Sequence, residues 1–295
     1  VVLAGGKQDV TKVTNEMYIG NVERGTGFHA LDETNFDYIA IPDKADPELD
    51  NALVDYAAER KDVRAILRCP VGISADLVIE YRNQTGTYQN AAGGVDSWLA
   101  SMTEGGIIIK HPVTGQNVEI SEIGDVLGRK ARKDNGQYPW FTAAGAKRGT
   151  INCLGVVYNL GTNARAKLAD AVDRAGVNLV INHDTYGPVI WGNSTLQRKR
   201  TLLMHENVAD CIMYITKVTK PIIDLELFDP NDLDTWKTIY RGVKRVMDIV
   251  KEQRGVWDWM YQGDQDAASV AECVVNKPEN IDAGMYVFYL WVQPK

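Results

Sequence analysis

The 295-residue chain has no run of 18 apolar residues, so no membrane-spanning helix is predicted, and it shows no secretory leader. It has four cysteines, Cys69, Cys153, Cys211 and Cys273, and none forms a C-x-x-C pair. A zinc site needs clustered ligands, and these are far apart. Four buried, reduced thiols are expected, although spacing alone leaves a disulfide open. Histidine is scarce too: His29, His111, His183 and His205 stand apart in sequence. His205-Glu206 opens an H-E-x-x-H pattern, but position 209 is Ala. There is no G-x-S-x-G elbow and no G-x-x-x-x-G-K-[ST] loop. An excess of positive charge is missing as well. Lys and Arg number 32 against 39 Asp and Glu, a net charge of −7, which argues against a nucleic-acid footprint. No catalytic, cofactor-binding or metal-ligating residue is therefore assigned.

What is present is ordinary globular material, 45% hydrophobic, with seven Trp and thirteen Tyr as large packing surfaces. That length can fill two cores. The chain begins Val1-Val2-Leu3, which reads as a piece of a longer polypeptide.

Residues 36–42 (FDYIAIP) predict a short buried strand stopped by proline. Apolar Leu49, Leu53, Tyr56 and Ala57 predict a helix over 47–61, with Asp46 as its cap and Pro47 at its first position. A second strand follows at 63–69, so the unit is βαβ with parallel strands. A helix is expected from about Ser74. Glycine pairs at 93–94 and 105–106 bracket a short segment around Trp98. Then come a strand at 107–110, a turn at 112–115, a helix at 121–132 and a loop at 134–149. A helix at 164–175, stopped by Gly176, precedes a buried strand at 177–181. The alternation predicts a layered α/β region.

After Gly187 the texture changes. A helix is expected at 210–219. Asp229-Pro230-Asn231 reads as the start of another. Leu233, Trp236, Ile239, Tyr240, Val243, Val246, Met247 and Val250 form its apolar stripe, with Lys237, Arg241, Lys244 and Lys251 mostly off it. Gly255 closes it, with Lys251 and Arg254 at its negative end. Residues 285–292 (MYVFYLWV) read as a strand buried on both faces. Two compact units are expected to meet near 182–190, the long helix packing on a sheet that contains 285–292.

The remaining chemical candidates have ordinary explanations. His183, Asp184 and Ser194 suggest a hydrolytic triad but lack its context, so they read as loop polar residues. Gly5-Gly6 and Gly25-Thr26-Gly27 read as turn glycines. Asp264 and Asp266 begin a calcium-loop pattern whose glycine and distal Glu fall in the wrong places. Trp257 and Trp259 read as core strand residues. The clusters Lys130, Arg132, Lys133 and Arg198 to Arg200 read as solvated surface, or as contacts to acidic patches on neighbouring copies.

Several short pieces, in order, resemble the contractile tail sheath proteins of bacteriophages. They are Leu3-Ala-Gly-Gly6, Ile39-Ala-Ile-Pro42, Ile66-Leu-Arg-Cys-Pro70, Pro139-Trp140 with Ala144-Gly145 and Arg148-Gly149, and Val189-Ile-Trp-Gly192 with Thr195-Leu196. Asn207-Val208, Phe228-Asp-Pro-Asn231 with Trp236, and Cys273, Asn276, Pro278 and Ile281-Asp-Ala-Gly284 complete the series. Ala209-Asp210-Cys211 departs from the family, which commonly has an arginine pair there.

The resemblance implies a fold and a role. The expected fold is a layered, subtilisin-like α/β sheath domain over 31–185, then a smaller α+β carboxy-terminal sheath domain over 186–295. Residues 1–30 would connect to a missing amino-terminal region. The expected role is a non-enzymatic subunit of a contractile phage tail sheath, needing no cofactor. Copies would stack as a helical homo-oligomer around the tail tube protein and meet baseplate and tail terminator proteins. The sheath would contract to drive the tube through the host envelope, without nucleic-acid binding or direct membrane insertion. The implied location is the virion, after assembly in the bacterial cytoplasm. In the family, terminal arms join neighbours by strand exchange. The alternatives are the sheath of a type VI secretion system or a phage-derived bacteriocin, and an α/β hydrolase or nucleotide-binding enzyme. Against the last, Asp43-Lys-Ala-Asp-Pro47 follows the first strand where a phosphate would need a glycine-rich turn.

Overall fold

A computed structural model describes residues 13–168 and 175–295. The chain divides into two compact units, Val1–Lys130 with Ala143–Arg200, and Ala131–Thr142 with Thr201–Lys295. The glycine pair at 5–6 and residues 169–174 of the expected 164–175 helix lie outside the described residues.

The first unit opens with the short helix α1 (Asn15–Ile19) and the two-residue strand β1 (Tyr38–Ile39). Helix α2 (Pro47–Arg60) starts as its sequence predicts. The Asp46 carboxylate accepts from the Glu48 and Leu49 N–H groups at 3.0 and 3.4 Å, and Pro47 gives up no bond at that position. Strand β2 (Arg64–Arg68) pairs parallel with β1, completing the βαβ unit. Helix α3 (Ala75–Asn83) is capped by Ser74, whose hydroxyl accepts from the Leu77 N–H.

Next come β3 (Ala100–Glu104), β4 (Ile107–Lys110), β5 (Asn117–Ile120), α4 (Ile123–Gly136), β6 (Gly155–Val156) and α5 (Thr162–Leu168). β7 (Val177–His183) and β8 (Gly187–Trp191) end the series. The main sheet runs β1-β2-β3-β7-β8, parallel except for the antiparallel β7–β8 hairpin. The strands expected at 36–42, 63–69 and 177–181 thus share one sheet. Its centre is β3, which reads in sequence only as a short segment. Ser101, Thr103 and Glu104 are buried there, so its composition hides its position. β5, β4 and β6 form a small antiparallel sheet. Ile66, Ile107, Ile123, Val126, Ile151, Val180 and Ile190 make a continuous core cluster.

The expected boundary at 185/186 falls inside the β7–β8 hairpin. Leu179 pairs with Trp191 and His183 with Gly187, so residues 187–191 complete the first unit's sheet. Gly187 adopts φ 69°, the left-handed conformation that a tight hairpin requires.

The second unit holds α6 (Glu206–Leu225), α7 (Leu233–Glu252), β9 (Val256–Gln262), α8 (Pro278–Asp282) and β10 (Tyr289–Pro294). Helix α7 starts later than the sequence suggests. Its cap is Asp232, which accepts from the Asp234 and Thr235 N–H groups, and Asp229-Pro230 lies in the preceding turn. Its end also differs. Arg254, not Gly255, takes the left-handed conformation, at φ 70°. A Cβ on Gly255 would sit 2.6 Å from Val250 and 3.0 Å from the Trp140 ring. Gly255 is there for close packing.

The strand expected over 285–292 is a second correction. β10 begins at Tyr289, and alternate residues along it are exposed. Only one face has a helix to cover it, so it is a half-buried antiparallel strand rather than one buried twice.

Candidate assembly surface

The second unit is built around Trp236, which is fully buried. Its indole N–H donates to Asn231 Oδ1 at 2.8 Å, and Asn231 Nδ2 donates to the Met285 carbonyl at 3.2 Å. The ring stacks on Tyr286 at 5.2 Å, and the Tyr286 and Tyr261 hydroxyls lie 2.6 Å apart. The FDPN-to-Trp spacing of the sequence is therefore a folding device. One asparagine ties the start of α7 to the segment that enters β10.

A second tie comes from the 131–142 segment. Trp140 donates its indole N–H to the Gln253 carbonyl at 2.8 Å and stacks on Tyr138. Asn207 Nδ2 donates to the Trp140 carbonyl. Lys133, expected on the surface, is buried. Its ammonium lies 2.9 Å from Asp134 and 3.3 Å from Asp210, and donates to the Pro139 carbonyl at 2.8 Å. Lys130 is also buried, with its ammonium 5.4 Å above the Tyr38 ring. The solvated-surface reading fails for both, because α4 is covered on more sides than its own pattern reveals. Asp210 thus has a local role, as the partner of Lys133. A charge inside the apolar stretch 208–213 was the available signal.

β9 and β10 pair antiparallel, Leu290 opposite Tyr261 and Val292 opposite Trp259. Trp259, Tyr261, Leu290 and Val292 face the core that α7 buries. Met260, Trp291 and Tyr289 are about half exposed on the other side. Trp257 is 62% exposed, under the Lys295 ammonium at 4.5 Å, so it is not the core residue expected. Among the described residues the sheet has two strands, each with an outer edge that no third strand pairs. Such an edge presents a row of free N–H and C=O groups.

The loop from β9 to β10 is fixed by Asp264. Its carboxylate accepts backbone N–H bonds from Val274, Val275 and Asn276 at 2.8, 3.0 and 2.6 Å. Burial pushes its pKa up, but these backbone bonds outweigh that and hold it below the usual range. Buried Asn276 then bonds both backbone groups of Val287. Asp264 is a loop clamp.

The triad candidates have similar structural duties. His183 Nδ1, the atom that an orienting carboxylate would hold, accepts from the Thr185 N–H at 3.1 Å. Its ring lies against Tyr186 and Trp191. The Asn178 side chain holds the Ser194 backbone at both its N–H and its C=O. Among the described residues no three His, Cys, Asp or Glu converge as a metal would require. Nor is any described helix long and apolar enough to cross a membrane. The cysteines are unbridged, with Cys69 and Cys211 buried and Cys153 and Cys273 only partly so.

No family model matches the sequence, and no curated protein matches it. Solved structures do. The contracted sheath complex of an extracellular contractile injection system, PVC, matches with a TM-score of 0.70 at 14% identity, over 92% of this chain and 72% of that one. The chain has the contractile-sheath fold. The contracted helical sheath of the anti-feeding prophage matches with a TM-score of 0.69 at 14% identity, over 90% of this chain and 68% of that one. A six-fold symmetrised baseplate of the same prophage matches with a TM-score of 0.69 at 12% identity, over 91% and 67%. The sheath fold here is a mixed α/β structure whose main sheet is largely parallel.

Proposed function

We propose that this chain is the structural subunit of a contractile sheath and not an enzyme. Many copies pack around an inner tube, in an extended arrangement that later shortens and drives the tube through a cell envelope. The observation that carries this reading is the sheath fold across nine-tenths of the chain. The open two-stranded sheet supports it. Strand addition from a neighbour would supply main-chain hydrogen bonds along β9 or β10. Nearly rigid subunits with two sets of contacts form a bistable assembly, and energy stored at assembly needs no nucleotide.

In this reading the first unit is the layered, subtilisin-like sheath domain and the second is the carboxy-terminal sheath domain. Residues 1–30 are the connecting segment of this reading. The setting is a phage tail, assembled in the bacterial cytoplasm and carried on the virion. The tube protein, baseplate and terminator are the partners. A second setting is favoured by the neighbours, which are an extracellular injection system and a prophage device. There the mechanism is the same and the package differs.

Electron microscopy of the protein carrying its terminal arms is the test. Tubular polymers are expected. Discrete small particles at all concentrations would sink the proposal. Residues 1–295 by themselves are expected to stay monomeric at micromolar concentration.

A further inference from the structure

The turn between α6 and α7 carries an exposed apolar knob. Phe228 is 95% exposed, Leu225 81% and Leu227 65%. A lone exposed leucine needs no explanation, but three large apolar side chains within four residues on one turn do. Asp224, Glu226 and Asp229 surround them, so the knob is apolar at its tip and acidic at its base.

The same unit carries a recess on the open face of β9 and β10. It holds about 210 Å³ and is lined by Asp258, Trp259, Met260, Trp291, Val292 and Gln293. An apolar cavity of about 150 Å³ already accommodates a benzene ring. Lys251 reaches Asp258 at 2.9 Å, which sets the recess beside the last turn of α7. Lys295 lies over Trp257 at the same end of β9. Asp258 lines the recess and is paired with Lys251, so Lys295 is the basic group at that rim that stands against the acidic base of the knob.

Knob and recess lie toward opposite ends of α7, a helix of 20 residues and so about 30 Å long. The knob cannot fill the recess of its own copy. A protrusion and a complementary hollow on different parts of one surface make a heterologous contact, which propagates into rings or helices rather than closing a pair. We propose that Phe228 of one copy inserts into the β9–β10 recess of the next, with Asp224, Glu226 and Asp229 at the Lys295 side of the rim. The occupant is a second copy of this chain. Buried aromatic anchors of this kind carry most of the energy in protein contacts. This inference rests on the reading of the chain as a self-assembling subunit and specifies one of its contacts.

The test replaces Phe228 with the photo-cross-linker p-benzoylphenylalanine. Phe228 is almost fully exposed, so the fold tolerates the change. Isotopically light and heavy copies of the 1–295 chain are mixed at about 1 mM, a concentration at which a weak contact is populated. The expected result is light–heavy conjugates on peptides spanning 256–262 or 289–294. Adding Met260→Asp to the unlabelled-position partner is expected to lower their yield about tenfold. Conjugates to residue 228 of a second copy, to another surface, within one copy only, or none at all, would each overturn the contact. Tubes seen by microscopy without these conjugates would overturn the contact alone. Neither tubes nor conjugates would remove the sheath reading as well.

Discussion

The two units solve the problem of sheet edges in opposite ways. In the first, β8 is an edge in name only. Ile151 donates to the Pro188 carbonyl and Ile190 to the Gly149 carbonyl, both at 2.8 Å, so a loop occupies it. The other edge, β1, is two residues long, too short to template a partner. In the second unit, seven-residue β9 and six-residue β10 are each paired by a strand on one side only, among the described residues. A two-stranded sheet is marginal unless something packs on it. Here α7 covers one face and nothing within the unit covers the other. The contrast teaches where a chain of this fold is complete in itself and where it has room for more chain.

Their cores differ in charge as well. The first unit buries carboxylates close together. Glu122 accepts from the Thr103 hydroxyl at 2.6 Å and the Gly106 N–H at 3.2 Å. Burial, and then the neighbouring Glu122, push Glu104 up to about 8. Burial likewise pushes Asp50 up to about 7, against the 2.7 Å bond from the Tyr81 hydroxyl. The second unit instead buries an ion pair, Lys133 with Asp210.

These differences can be broken by measurement. The largest effect is expected from Trp236→Ala, about 3–5 kcal/mol lost, as for other buried tryptophans. It should fall on the second unit. Hydrogen exchange should show α7 and β9 deprotected while β2 and β3 keep their protection; equal loss in both would mean that the units fold as one. Lys133→Met is expected to cost about 3 kcal/mol in chemical denaturation, since it leaves Asp210 buried without its cation. Lys133→Met with Asp210→Leu should recover part of that loss.

A smaller effect tests the first unit. Glu104 and Asp50 bind protons more tightly folded than unfolded, because their folded values lie above the ordinary 4.5 and 3.8. The folded state therefore holds more protons between about pH 4 and pH 8, and stability falls as pH rises through that window. Thermal unfolding at pH 5.5 and 8.5 should show the loss, and Glu104→Gln should flatten it. A wild-type Tm rising across the window would contradict the burial of these groups as neutral acids. The smallest change is Phe228→Ala, expected within about 0.5 kcal/mol of wild type for the monomer. A larger loss would show that the knob packs within its own unit.

Legibility in the sequence followed the range of the interactions. α2 and α3 were readable because Asp46 and Ser74 bond N–H groups two or three residues away. The stripe of α7 was readable because its partners recur at helical spacing. β3 was not, because Ser101, Thr103 and Glu104 look like a loop until β2 and β7 enclose them. β10 misled for the opposite reason: an apolar run looks doubly buried unless the missing second layer is known.

By itself the sequence determined the caps, the helix faces, the βαβ start and the lack of any catalytic motif, since all are set by neighbours along the chain. Tertiary structure alone decided that Lys133 meets Asp210, 77 residues away, and that 187–191 belongs to the first sheet. It also decided that β9 and β10 pair with each other and, among the described residues, with no third strand. Burial and edge exposure depend on what packs from elsewhere in the chain, and local sequence carries little record of that.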